Sequence, residues 1–125
     1  MLARLGRTPL TQALAREDRR LRRAADFLET HCAEGVSLDQ LSQVADLSPT
    51  QLIRSFRRHY GLTPHAYLID RRIRLARQRL RQGEELAEVA LATGFADQAH
   101  LQRTFKRLVA ATPGQYRVVS ALPQQ

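Results

Sequence analysis

Apolar residues recur along this chain at helical spacing, and small polar or proline-containing clusters separate one run from the next. From about Arg16 to Cys32 the apolar positions are Leu21, Ala24, Ala25 and Leu28. Steps of three and four residues put all of them on one face of a helix. Gly35 follows and is expected to terminate that helix. Ser37 with Gln40 three residues later forms a capping box, in which each side chain satisfies the other residue's free backbone N–H. The short helix that it opens has Leu38, Leu41, Val44 and Ala45 on one face. Ser48-Pro49-Thr50-Gln51 repeats the signal, with proline at the tolerated first helical position. Leu52 and Phe56 then face inward.

Thr63-Pro64 starts a longer helix with the stripe Ile69, Ile73, Ala76 and Leu80, and Gly83 closes it. Arg71, Arg72, Arg74, Arg77, Arg79 and Arg81 crowd its sides and are expected to be mostly a solvated face. Glu84-Glu85 opens the next helix, where negative charge suits the positive end of the helix dipole. Leu86, Val89 and Ala90 form its inner face, and Gly94 ends it. Residues 94–107 read GFADQAHLQRTFKR and supply a further helix. Thr112-Pro113 with Gln115 caps a final short one ending near Val119. No alternating strand pattern persists, so the expected fold class is all-α, with about seven helices. Residues 1–14 lack a clean helical stripe, and residues 1–16 are expected to be an N-terminal extension or linker remnant. Residues 121–125 read as a tail.

The pattern also repeats. With Phe56 set on Phe105, Leu52 falls on Leu101, Arg54 on Arg103 and Arg57 on Lys106. Thr63-Pro64 falls on Thr112-Pro113, and Tyr67 on Tyr116. Upstream, Leu38 and Leu41 match Leu86 and Val89 if the second copy has one extra residue in its turn. Each copy is a short helix, a tight turn and a longer basic helix. That is the helix-turn-helix plan, in which the second helix enters the DNA major groove. Two such motifs are expected, at about 37–59 and 85–108, joined by a linker helix at about 64–82.

Charge sharpens this picture. The chain of 125 residues holds 20 Lys and Arg against 12 Asp and Glu, a formal net charge of +8, and Lys106 is its only lysine. Such a balance points to a polyanion, most simply nucleic acid. On the outer faces lie long polar side chains of the kind that read bases. Arginine pairs with guanine O6 and N7, and glutamine with adenine N6 and N7. The base-reading candidates are Thr50, Ile53 and Arg54 in the first copy, then Gln98, Ala99, Gln102 and Arg103 in the second. Ile53 and Ala99 are apolar, so each is limited to a thymine methyl or to packing. Ser48, Arg57, Arg58, Lys106 and Arg107 are the candidates for phosphate contact, which positions a protein without reading sequence. Phe56, Phe95 and Phe105 are assigned to the core, and Tyr67 and Tyr116 to packing.

Other chemistries are poorly supplied. Cys32 is the single cysteine, so no intrachain disulfide is available, and a reducing, cytoplasmic compartment fits. His31, His59, His65 and His100 are scattered without metal spacing to Cys32. There is no phosphate-binding glycine loop, nucleophile elbow or zinc-protease motif, so neither an enzyme nor a cofactor is expected. A DNA-repair enzyme fusion would need a cysteine cluster. A membrane-surface protein would need apolar residues exposed beside the arginines. A sequence-indifferent or architectural DNA binder is the main alternative, and the polar outer face of the second copy argues against it.

Gly94-Phe95, Asp97-Gln98, Leu101, Arg103-Thr104-Phe105-Lys106 and Thr112-Pro113-Gly114-Gln115-Tyr116-Arg117 together resemble the signature of the AraC/XylS family of bacterial transcription regulators. The resemblance spans roughly Arg19 to Val119. It implies two helix-turn-helix subdomains joined by a long helix, a DNA-binding domain at 17–120, and recognition helices in successive major-groove segments of double-stranded DNA. It further implies an activator with RNA polymerase as a partner, and the sequence leaves repression open. Ala96 stands where such proteins more often have a serine-like cap, so Asp97 is expected to cap that helix. Family regulators usually carry an effector-binding or dimerisation domain, for which this chain has no room. It is therefore either a stand-alone regulator or a fragment, and the fragment is the favoured expectation.

Overall fold

A computed structural model describes residues 8–116. Six helices are present: α1 (Pro9–Thr30), α2 (Leu38–Ala45), α3 (Pro49–Tyr60), α4 (Pro64–Arg81), α5 (Leu86–Ala92) and α6 (Gln98–Val109). Residues 113–116 open a further helical segment, and no strand occurs among the described residues. The all-α expectation is met. The end of the seventh helix near Val119, Arg117 of the signature, and the tail lie outside the described residues.

The chain divides into two compact units. Among the described residues, the first joins 8–30 to 36–67, and the second joins 31–35 to 68–116. In the first unit α1 packs on α2 and α3, and α2 on α3. Its buried side chains include Leu21, Ala24 and Leu28 of α1, Leu41 and Ala45 of α2, and Leu52 and Phe56 of α3. Ser37 and Gln40 cap α2 reciprocally, and Ser48 and Gln51 do the same for α3, with Pro49 in its first turn. Between α2 and α3 the chain turns through Asp46, whose φ of 53° lies in the left-handed region. The Ser42 hydroxyl donates to the Leu47 carbonyl, and the Leu47 N–H donates to the Ser42 carbonyl at 3.2 Å.

The second unit has one apolar core. Ile73, Ala76 and Leu80 of α4 meet Val89 and Ala90 of α5, Phe95 of the turn, and Leu101 and Phe105 of α6. Ile69, Leu86, Val109 and Tyr116 pack against it. Gly83 (φ 85°) stops α4, its N–H donating to the Leu80 carbonyl. Asp97 caps α6, its carboxylate accepting the His100 N–H at 2.8 Å, as expected from the absence of a serine at Ala96.

Three expectations need correction. Helix α1 begins at Pro9, not near Arg16. Thr8 caps it through the Thr11 N–H, and proline takes the first turn. Its first two turns bury nothing, since Leu10 is 70% and Leu14 54% exposed, so no apolar stripe advertises them. At the other end α1 stops at Thr30, before Gly35, and Gly35 is not among the glycines with positive φ. Residues 31–35 instead form a turn of their own that belongs to the second unit. The reason is Arg72. Its Nε donates to the Cys32 carbonyl at 2.6 Å, and its Nη2 to the Glu34 carbonyl at 2.9 Å. The long-helix arginines are accordingly not one solvated face. Arg72 is half-buried, and burial lowers its guanidinium from its ordinary value. Arg79 pairs with Glu84 at 2.7 Å, and Arg74 with Asp70 at 3.0 Å.

Candidate nucleic-acid interface

Helices α3 and α6 contain no Asp or Glu and are built to one plan. In α3 the buried residues are Leu52, Ser55 and Phe56, and in α6 they are Leu101, Thr104 and Phe105. These triplets coincide under the repeat alignment, and so do the caps. Ser48 and Asp97 hold equivalent N-terminal positions. Gly61 and Ala110 hold equivalent C-terminal ones, with φ of 78° and 59°. A third correspondence lies in the aromatics. Phe56 meets Tyr67 edge-on at 5.3 Å between centroids, and Phe105 meets Tyr116 likewise at 5.4 Å. The assignment of these rings to packing holds, and Phe56, Phe95 and Phe105 are buried. Each unit therefore seats its basic helix on a phenylalanine that is buttressed by a tyrosine from the next helical start.

With those faces buried, the opposite ones are open. In the first unit Thr50, Ile53, Arg54, Arg57 and Arg58 are exposed and line one shallow groove along α3. In the second, Gln98, Ala99, Gln102, Arg103, Lys106 and Arg107 are all exposed. Every base-reading candidate thus lies on the outward side of its own helix. The phosphate candidates are less uniform. The Ser48 hydroxyl is occupied as a cap for the Gln51 N–H. Arg58 lies 3.6 Å from Glu17 and donates to the Ser55 hydroxyl at 3.4 Å, so it is aimed by neighbours. Basic side chains in the last turn of each helix also suit the negative end of its dipole.

Sequence reasoning missed Arg72 as a structural residue. A signal was present, since Arg72 is three residues after Ile69 and four before Ala76, on the edge of the apolar stripe. It also gave no weight to Ser55 and Thr104, small buried polar residues at one register of the repeat. Beside the core, Arg77 and Arg81 lie over the Tyr116 ring at 5.4 and 5.9 Å. Burial alone would raise the Tyr116 phenol, but the two guanidiniums outweigh it and hold it below its ordinary value. Among the described residues no group of three His, Cys, Asp or Glu could hold a metal ion. No described helix is long and apolar enough to cross a membrane.

Two capped helix-turn-helix units, each presenting a helix free of acidic residues, define a DNA-binding protein of the helix-turn-helix class. Comparison with known proteins agrees. The helix-turn-helix domain family matches residues 41–118, more than half of the chain. The transcriptional activator RhaS of Enterobacter sp. is 36% identical over 118 residues, covering 94% of this chain and 42% of RhaS. An AraC-type regulator structure from Chromobacterium violaceum superposes with a TM-score of 0.80 at 29% identity, covering 86% of this chain and 96% of that one. The DNA-binding domain of the global transcriptional factor AdpA, solved with a target DNA, gives a TM-score of 0.74 at 27% identity, covering 79% and 90%. The chain belongs to the AraC/XylS family of helix-turn-helix transcription regulators. It spans less than half the length of the curated relatives it matches.

Proposed function

We propose that this chain regulates transcription by reading double-stranded DNA with α3 and α6, each placed in a major-groove segment about one helical turn from the other. The observation that carries the reading is the shared register of the two helices. The same positions are buried, the same positions are capped, and the same positions face outward. Arg54 and Arg103 read guanine, and Gln98 and Gln102 read adenine. Ile53 and Ala99 meet thymine methyls, and Thr50 adds a small polar contact. Arg57, Arg58, Lys106 and Arg107 hold phosphates, and Ser48 meets one from the opposite, N-terminal end of α3. The activator role carried by the name RhaS extends to this chain as part of the proposal. With it come RNA polymerase as partner, a cytoplasmic setting and a separate effector or dimerisation domain. An architectural role is less well supported, because Gln102 and Arg103 stand exposed where base edges would lie.

Sites selected from random DNA should show two clusters about one turn apart, without a palindrome. Against such a site, Arg103→Ala should lower affinity by about 1–3 kcal/mol and relax selectivity at one base pair. An equal loss on matched and mismatched duplexes would reduce Arg103 to a phosphate contact.

A further inference from the structure

The first unit holds a second basic surface that the two-helix reading leaves unused. Helix α1 runs beside α3, and between them lies a cleft of about 380 Å³. Its walls carry Arg16 and Arg20 from α1 and Arg54 and Arg58 from α3, with Glu17 as the one acidic residue lining it. Glu17 lies 3.6 Å from Arg58, and Arg20 reaches Asp46 at 3.4 Å, where the Asp46 side chain is 80% exposed. Among the described residues neither Arg16 nor Arg54 has an acidic partner. Four guanidiniums therefore share one cleft with a single carboxylate inside it and a second at its edge.

Like charges held this close repel one another, and exposed ion pairs relieve little of that. An anion would relieve it more. Arg54 points to which anion. It also lines the groove on the other flank of α3, with Thr50, Ile53 and Arg57. The α1 cleft is thus continuous with the face assigned to DNA. Guanidinium is the side chain best matched to phosphate oxygens, through two parallel N–H donors.

We propose that this cleft takes the DNA backbone beside the groove that α3 enters, with Arg16 and Arg20 of α1 as sequence-independent phosphate contacts. Glu17 tempers the surface by holding Arg58. The inference rests on the reading of α3 as a groove-entering helix. It makes the footprint of the first unit longer than α3 alone requires.

Affinity of the chain and of Arg16→Ala is measured across a salt series, on a duplex that extends past the first-unit half-site and on one trimmed flush with it. Arg16 is exposed, so its removal leaves the core intact. On the long duplex the variant's log–log salt slope should be shallower by about 0.9, the loss being equal for matched and mismatched sequences. On the trimmed duplex the two proteins should bind alike. Glu17→Gln should raise affinity for all long duplexes. An unchanged slope on the long duplex, or an equal loss on the trimmed one, overturns the inference. Arg54→Ala separates the two layers. If it abolishes selectivity at a base pair while Arg16→Ala does nothing, only the α1 contact fails. If it leaves selectivity intact, the reading of α3 fails and takes this inference with it.

Discussion

At Gly94 the lack of a side chain is a requirement. Its φ of 88° lies in the left-handed region, and an added Cβ would come within 2.9 Å of Arg72 Nε and 3.0 Å of the Ala33 carbonyl oxygen. The backbone of residues 31–35 would have to move, and with it the carbonyls that Arg72 holds. Gly61 has a similar φ of 78° but open space around it. Gly61→Ala should cost about 1–2 kcal/mol, the penalty of left-handed backbone alone. Gly94→Ala should exceed it by about 1–3 kcal/mol of added strain, read from urea midpoints at constant slope. Equal costs would mean that the 31–35 turn yields freely. Gly94 as a turn and Phe95 as a core plug were legible in the sequence. The partner was not. Arg72 bonds a carbonyl forty positions upstream, and no local pattern encodes a contact at that separation.

Among the elements, what was legible followed from caps. The Ser37–Gln40 and Ser48–Gln51 boxes form as their spacing implies, and Thr112 with Gln115 makes a third. Capping is local chemistry within four residues, so a linear reading finds it. The start of α1 was missed because the reading leaned on an apolar stripe, and a helix that projects without burying anything has none. The repeat also exposes a mismatch. Both basic helices end in left-handed backbone, yet the first uses Gly61 and the second Ala110. Alanine pays a steric penalty there that glycine avoids. Ala110→Gly should therefore relieve about 1–2 kcal/mol of left-handed strain, less the roughly 0.4–1 kcal/mol lost to a freer unfolded chain, and so raise the urea midpoint. A lowered midpoint would mean that the freedom gained by the unfolded chain outweighs the strain relieved.

For the molecule as a whole, charge is the property that composition predicted most directly. Four of the phosphate candidates, Arg57, Arg58, Lys106 and Arg107, are cationic and exposed. If each displaces counterions, log affinity should fall against log salt with a slope of roughly −3 to −4, before any α1 contribution. A flat titration from low to moderate salt would remove electrostatics from the account. Composition could not say which of 19 arginines are open to a partner and which serve the fold. Only packing sorts Arg72, Arg77 and Arg79, which are partly buried beside the second core, from Arg54 and Arg103, which are open.

The turn at residues 31–35 bears on how this chain can be taken apart. The repeat suggests two interchangeable modules, with a natural cut after Tyr67. The second module, however, includes five residues that precede the whole first helix-turn-helix. A piece beginning at Leu68 would keep α5, α6 and α4 without its first turn, but leave the Arg72 guanidinium without its carbonyls and the space beside Gly94 unfilled. Domain shuffling or swapping at the copy boundary would therefore transplant an incomplete part. The second unit is a split module, and its upstream piece travels in sequence with its neighbour.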